Sequence, residues 1–154
     1  DLHLQQIVFD TPTDDILGMI DSLGVNSVTM YNWDSPHPQD YIRWGLEGWE
    51  RMKKWDQALS VPFFPNASIG WDNSPRFPKQ QKESIVHLNK TPEAFAYFLQ
   101  KAMEYCDEHP DQEKLITVFA WNEWIEGSYL LPDAKYGYSY LEAVRKVMND
   151  SYNN

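Results

Sequence analysis

The stretch "FAWNEWIEG", residues 119–127, sets Glu123 and Glu126 three positions apart, with Phe119, Trp121 and Trp124 around them, directly after an apolar run. On a helical turn two such carboxylates share a face, and first turns gather acids for capping and dipole reasons. That structural explanation leaves the two indoles unaccounted for. Glycosyl transfer accounts for them: the apolar C–H faces of a sugar stack on indole, and its hydroxyls bind carboxylates and an amide such as Asn122. Breaking an acetal also needs one carboxylic acid to protonate the leaving oxygen and a second carboxylate to assist on the other side. Glu123 and Glu126 are the candidate catalytic pair.

Two other stretches have similar chemistry. "YNWDSPHP", residues 31–38, offers Tyr31 and Trp33 as sugar-contacting rings, although Asn32 and Asp34 satisfying local amides in a Pro-rich turn explain it equally well. His37, between prolines, reads as solvated. "GWDNSPR", residues 70–76, supplies Trp71, Asp72, Asn73 and Arg76. Gly70 and Asn73 could simply shape a turn while Asp72 pairs with Arg76, but turn chemistry does not call for Trp71. Tyr129 completes the set of candidate substrate-binding residues. The four histidines are scattered, so no metal-ligand spacing is present, and no cofactor is implied.

Each of these stretches follows an apolar run, and the alternation of runs with helical patterns defines the fold class. "TPTDDILGMIDSLG" predicts a helix capped by Thr11 and opened by Pro12, with Ile16, Leu17, Ile20 and Leu23 at helical spacing and Gly24 as its stop. A buried strand is expected from Val25 to Tyr31, then a helix over 39–59 with Ile42, Leu46, Trp49 and Met52 on one face and Gly45 and Gly48 weakening its first turns. "SVPFFPNAS" reads as a short strand. Thr91 and Pro92 open the clearest helix, whose stripe of Phe95, Phe98, Leu99, Ala102, Met103 and Cys106 ends before Pro110. "KLITVFAW" is a further strand, and a last helix over 138–149 turns Leu141, Val144 and Met148 inward. The residues through Phe9 fit a strand or an irregular edge. Apolar strands separated by helices indicate an α/β fold with a parallel sheet covered on both faces. In such folds ligands bind at the carboxy-terminal ends of the strands, where all three polar, aromatic stretches fall. The connection from Ser68 to Lys90 exceeds the usual loop length and reads as a functional lid or a partly mobile segment.

Composition narrows the ligand. The 154 residues suffice for one domain with a sizeable core, and an aromatic fraction of 15% exceeds what that core needs, so some rings are expected to face a ligand. A net charge of -10 argues against nucleic acid and anionic membrane surfaces and suits a neutral, hydroxyl-rich partner. Cys106 is the single cysteine, which excludes an internal disulfide and leaves the redox compartment open. No run of apolar residues is long enough to span a membrane. Because the chain opens on "DLHLQQIVFD" without a methionine, it reads as a fragment of a longer protein.

The longer string "WNEWIEGSYLLPDAKYGYSYLEAV" resembles the carboxy-terminal signature of the family 99 glycoside hydrolase-like proteins, including the WbsX-like group associated with polysaccharide loci, and "GWDNSPR" resembles an upstream motif of the same group. The resemblance runs in consistent order from Asn26 to Val147. It implies the carboxy-terminal part of a (β/α)8 TIM-type barrel, parallel strands alternating with helices. Residues 1–154 would then be a single fragment whose partner is the missing amino-terminal half or, in its place, a second copy. In characterised members, which are endo-acting α-mannosidases and α-mannanases, the two glutamates of N-E-W-x-E-G are the catalytic pair. By that resemblance Glu123 is the base that takes the proton of the sugar 2-hydroxyl. The 2-oxygen then attacks the anomeric carbon to give a 1,2-anhydro sugar, with net retention. Glu126 would be the acid for the departing sugar and then the base that activates water. The sequence departs from the endomannosidases in Ile125, where they often carry His, and in "SYLL", which leaves Leu131 where relatives commonly place an acid. Those departures move it toward the WbsX-like group. The alternatives are a glycosyltransferase-like protein of polysaccharide assembly and a sugar-binding module without catalysis. A polysaccharide-degrading role would suit export to the periplasm or beyond.

Overall fold

The computed structural model describes residues 2–34, 39–77 and 87–152. Its frame is a succession of parallel strands joined by helices. β1 (Gln5–Val8) is followed by α1 (Asp14–Leu23), β2 (Ser27–Met30), the short β3 (Gln39–Asp40) and α2 (Tyr41–Ala58). Then come β4 (Phe63–Phe64), β5 (Asn66–Ser68), β6 (His87–Leu88), α3 (Pro92–Glu108), β7 (Thr117–Phe119), the hairpin strands β8 (Asn122–Glu123) and β9 (Ser128–Tyr129), and α4 (Ser139–Tyr152). β1 pairs in parallel with β2, β2 with β4, and β5 with β7. Only Pro65 separates β4 from β5; it has no N–H to give to a ladder, so the two pieces act as one strand that changes neighbour. The opening residues therefore do form a strand, and four parallel β/α units follow one another. Among the described residues no helix is long and apolar enough to cross a membrane.

The strands expose their two faces to different surroundings, as period-two alternation requires. Val28 and Met30 face the helices and join a core with Ile20, Trp44, Trp55 and Phe98. Thr29 points the other way, where its hydroxyl bonds Phe64 O and Thr117 Oγ1, both at 2.9 Å, and Asn66 Nδ2 donates to Thr117 Oγ1 at 3.0 Å. A second core cluster, with Ala67, Phe95, Leu99 and Tyr140, joins α3 and α4 to β5 and β7.

Several sequence expectations shift for physical reasons. Thr13, not Thr11, caps α1, its Oγ1 accepting from Ile16 N, while Gly24 closes the helix in the left-handed region as expected. α2 begins one residue after Asp40, whose carboxylate accepts from the amides of Ile42 and Arg43. Its buried face is Tyr41, Trp44, Gly45, Gly48, Met52 and Trp55, so Ile42 and Leu46 lie outside. The glycines are the reason: a Cβ at Gly45 would meet Phe98 at 2.2 Å, and one at Gly48 would meet Trp33 at 2.5 Å. What reads as weakness is the surface on which large rings lie. α3 matches its expected cap, Pro92 and stripe. "KLITVFAW" pairs as a strand only over Thr117–Phe119, and α4 turns Tyr140 and Val147 inward rather than Leu141.

Trp33 requires the largest correction. It is 0% exposed, stands among Tyr41, Trp44 and Phe98, and its Nε1 donates to Asn66 O at 2.9 Å. A ring with its polar handle already satisfied inside the core does not contact a sugar. His37 lies outside the described residues, as does 78–86 of the long connection. That connection returns to the frame as β6, which pairs with β3.

Candidate active site at the carboxy-terminal ends of the strands

The strands run parallel, so the residues after their last positions gather on one face. Phe9 follows β1, Tyr31 follows β2, Trp71 stands three residues after β5, and Phe119 ends β7. These rings form a tier. Phe9 and Tyr31 are 5.3 Å apart, Tyr31 and Phe119 4.4 Å, and Phe119 stacks on Trp71 at 5.9 Å. Beside the tier is a cavity of about 130 Å3, lined also by Asn32, Asp34, Trp44 and His87. Asn32 Oδ1 accepts from Asp34 N, as a turn would have it, yet both residues border the cavity. Arg51 fixes this turn from α2 by donating to the carbonyls of Trp33 and Asp34.

The glutamates stand at this tier. Glu123 ends β8 and Glu126 closes a 3-10 turn over Trp124–Glu126. Glu126 is 5% exposed, and its Oε1 accepts from the Arg76 guanidinium at 2.6 Å. Its Oε2 is buried with no well-formed hydrogen bond among the described residues. Tyr31 is the polar neighbour: its phenol is held above the usual range by burial first, then by the charges of Glu126 and Glu123, with Arg76 opposing. A phenol so placed remains a proton donor at neutral pH. The two carboxylates, which come from one short segment, thus both act on Tyr31, the residue after β2, 92 and 95 positions earlier in the chain.

Backbone contacts lock the two motifs together. Asp72 N donates to Glu126 O at 2.8 Å, and Asp72 Oδ1 accepts from Ser74 N at 2.9 Å. Arg76 N donates to Asn73 O at 3.1 Å, which turns the guanidinium toward Glu126. Asp72 therefore shapes the turn and docks it, and the expected Asp72–Arg76 pair gives way to Arg76–Glu126. Gly127 has φ +59, and a Cβ there would meet Asp72 Cβ at 2.6 Å; both constraints call for glycine. The Phe119–Ala120 peptide is cis.

Trp121, Asn122 and Trp124 are exposed, with Trp124 stacked on Tyr129 at 4.0 Å and 26°. This pair is an open aromatic platform beside the glutamates. The structure thus brings together Glu123, Glu126, Tyr31, Trp71, Asp72, Asn73 and Arg76, puts the Trp124–Tyr129 platform next to them, and leaves Trp33 apart. Sequence reading missed Phe9, His87 and Lys90. His87 stacks on Trp44 at 4.0 Å, and its N donates to Trp71 O. Lys90 donates to Gly127 O, and burial holds its amine below the usual lysine range. Gly70, whose absent Cβ leaves room for the Lys90 stem, was the nearest sequence signal.

The chain is thus an α/β protein of parallel strands and helices, with a buried carboxylate, a second carboxylate and a tier of rings at its strand ends. Residues 28–144 match the family described as Glycosyltransferase WbsX, and the chain belongs to that family. It is 31% identical over 86 residues to the uncharacterized protein WxcX of Xanthomonas campestris pv. campestris, in strain B100 and again in strain ATCC 33913. That match takes in 55% of this chain and 12% of the relative's length. In fold the chain resembles the GH99 endo-alpha-mannosidase from Bacteroides thetaiotaomicron, solved with BIS-TRIS-propane, with a TM-score of 0.61 at 14% identity. The likeness covers 99% of this chain and 47% of that one, so the chain spans about half of that protein, and its GH99-like fold is a likeness of architecture.

Proposed function

We propose that this chain forms part of the catalytic domain of a carbohydrate-active enzyme, a retaining glycoside hydrolase of α-linked glycans, and that its four β/α units are the carboxy-terminal half of a (β/α)8 barrel. The observation that carries the reading is Glu126: a buried carboxylate with one oxygen on Arg76 and the other, among the described residues, without a well-formed hydrogen bond, beside the Tyr31 phenol and Glu123. The GH99-like fold and the membership of a family named for glycosyl transfer support carbohydrate as the substrate class.

In this mechanism Glu123 removes the proton of the sugar 2-hydroxyl, and the freed oxygen attacks the anomeric carbon as the glycosidic bond breaks. Glu126 gives its proton to the departing oxygen. The product on the enzyme is a 1,2-anhydro sugar, which water opens as Glu126 takes the water's proton and the 2-oxygen regains one from Glu123. Two displacements at one carbon give net retention. Oε2 of Glu126 is the atom suited to these transfers, because Oε1 is occupied by Arg76. Tyr31 donates toward the carboxylates, and the Trp124–Tyr129 platform takes an apolar sugar face.

Transfer from an activated sugar is the second reading, favoured by the family's description. Against it, Arg76, the cation on the glutamate pair among the described residues, is already engaged by Glu126. The full-length protein incubated with a panel of α-linked oligosaccharides, followed by proton NMR, decides between them. Cleavage with the α-anomer released first is expected; release of the β-anomer, or turnover only with a sugar nucleotide, would overturn the retaining hydrolase.

A further inference from the structure

The glutamate pair does not account for a second cavity, of about 250 Å3, beyond Gly127. Its lining includes Lys90, Tyr129, Asp133, Lys135, Tyr136 and Tyr140. Tyr140 is 4% exposed, and its hydroxyl has no hydrogen-bond partner among the described residues. Buried hydroxyls in that condition are rare in native proteins. Tyr140 lines the cavity, and burial, above all, holds its phenol above the usual range. Asp133 Oδ1 is fixed by the amides of Lys135 and Tyr136, at 2.8 and 2.5 Å. Lys90 directs one proton to Gly127 O and has two more to give, and its Nζ lies 5.6 Å from the Tyr129 ring centre.

Donors, an acceptor and three phenol rings around a partly open hollow recognise a small ring rich in hydroxyls. At roughly 30 Å3 per water the space holds about eight waters, which suits one pyranose rather than a chain of them. Asp133 opposes an anionic ligand, and Lys90 and Lys135 together oppose a cationic one. We propose that this cavity is an accessory subsite for a single neutral sugar ring, with Tyr140 and Lys90 donating and Asp133 accepting. The proposal rests on the reading that the longer protein handles glycans, but it assigns no chemistry to the cavity.

The test is saturation-transfer NMR on the full-length protein with a panel of neutral methyl pyranosides and one uronic acid, repeated with Tyr140→Phe and Asp133→Asn. Tyr140→Phe keeps the ring among Phe95 and Tyr136 and removes only the hydroxyl; Asp133→Asn keeps the oxygen that holds the turn. A neutral pyranoside is expected to bind the parent and to bind either variant about fivefold more weakly, the scale of one lost hydrogen bond. If no neutral pyranoside binds, if only the uronic acid binds, or if both folded variants bind like the parent, the subsite is overturned. Cleavage by the glutamate pair can survive that outcome, and loss of cleavage on changing the glutamates leaves this binding test intact, so the two readings fail separately.

Discussion

At the scale of single residues, Glu126 is buried with its Oε1 on the Arg76 guanidinium. Arg76 is 40% exposed at its side chain while Glu126 is 6%, so the pair lies between a surface ion pair and a buried one. Arg76→Met is expected to cost about 1–3 kcal/mol, between the values typical of those two classes, and to lower kcat as well. Urea denaturation and turnover of the full-length variant check this; unchanged stability and rate would mean that Arg76 is incidental. The glutamates and the indoles beside them were legible because they sit in one nine-residue string. Arg76 was legible as a residue but not as a partner, since its contact with Glu126 exists only once β5 and β7 lie side by side. Trp33 was misread for the complementary reason. A ring three positions past a strand can turn into the core or out to a ligand, and the choice is made by Gly48, fifteen residues later.

At the scale of elements, α2 gives the sharpest test. Helix propensity alone makes Gly→Ala stabilising by about 0.5–1 kcal/mol. Gly45→Ala and Gly48→Ala are expected to go the other way, each losing about 1–3 kcal/mol or more, because the new methyl enters Phe98 or Trp33. Gly18→Ala in α1, where a Cβ meets nothing within 4 Å, is the control and should stabilise. Thermal unfolding of the three variants reads out the difference, and equal shifts would contradict the packing described. α3 was legible because its signals are local: a cap, a proline and a stripe at regular spacing. The face of α2 was not, because its inward positions are marked by small residues whose value depends on what lies opposite.

At the scale of the whole molecule, four parallel units leave apolar surface at the β1 edge. Ile7 is 46% and Phe9 53% exposed, and Leu2 and Leu4 are exposed beside them. β1 pairs on one side only among the described residues. An uncovered strand edge with such side chains invites association, and the proposed amino-terminal half of the barrel would cover it. The 154-residue chain alone is therefore expected to elute from size exclusion as a self-associated species, and together with that half as a single compact one. A monodisperse, folded monomer of the chain alone would contradict the half-barrel. The parallel α/β class was legible from alternating runs, whereas the number of units in the complete protein was implied by resemblance.

The central claim is that Glu126 performs chemistry rather than holding a loop. The most direct measurement is turnover and glycan binding by the full-length Glu126→Gln variant on a substrate that the parent cleaves. Binding close to the parent's is expected, with kcat lower by about 10²–10⁴-fold, the range of a lost general acid–base group. A variant that cleaves as fast as the parent would contradict it.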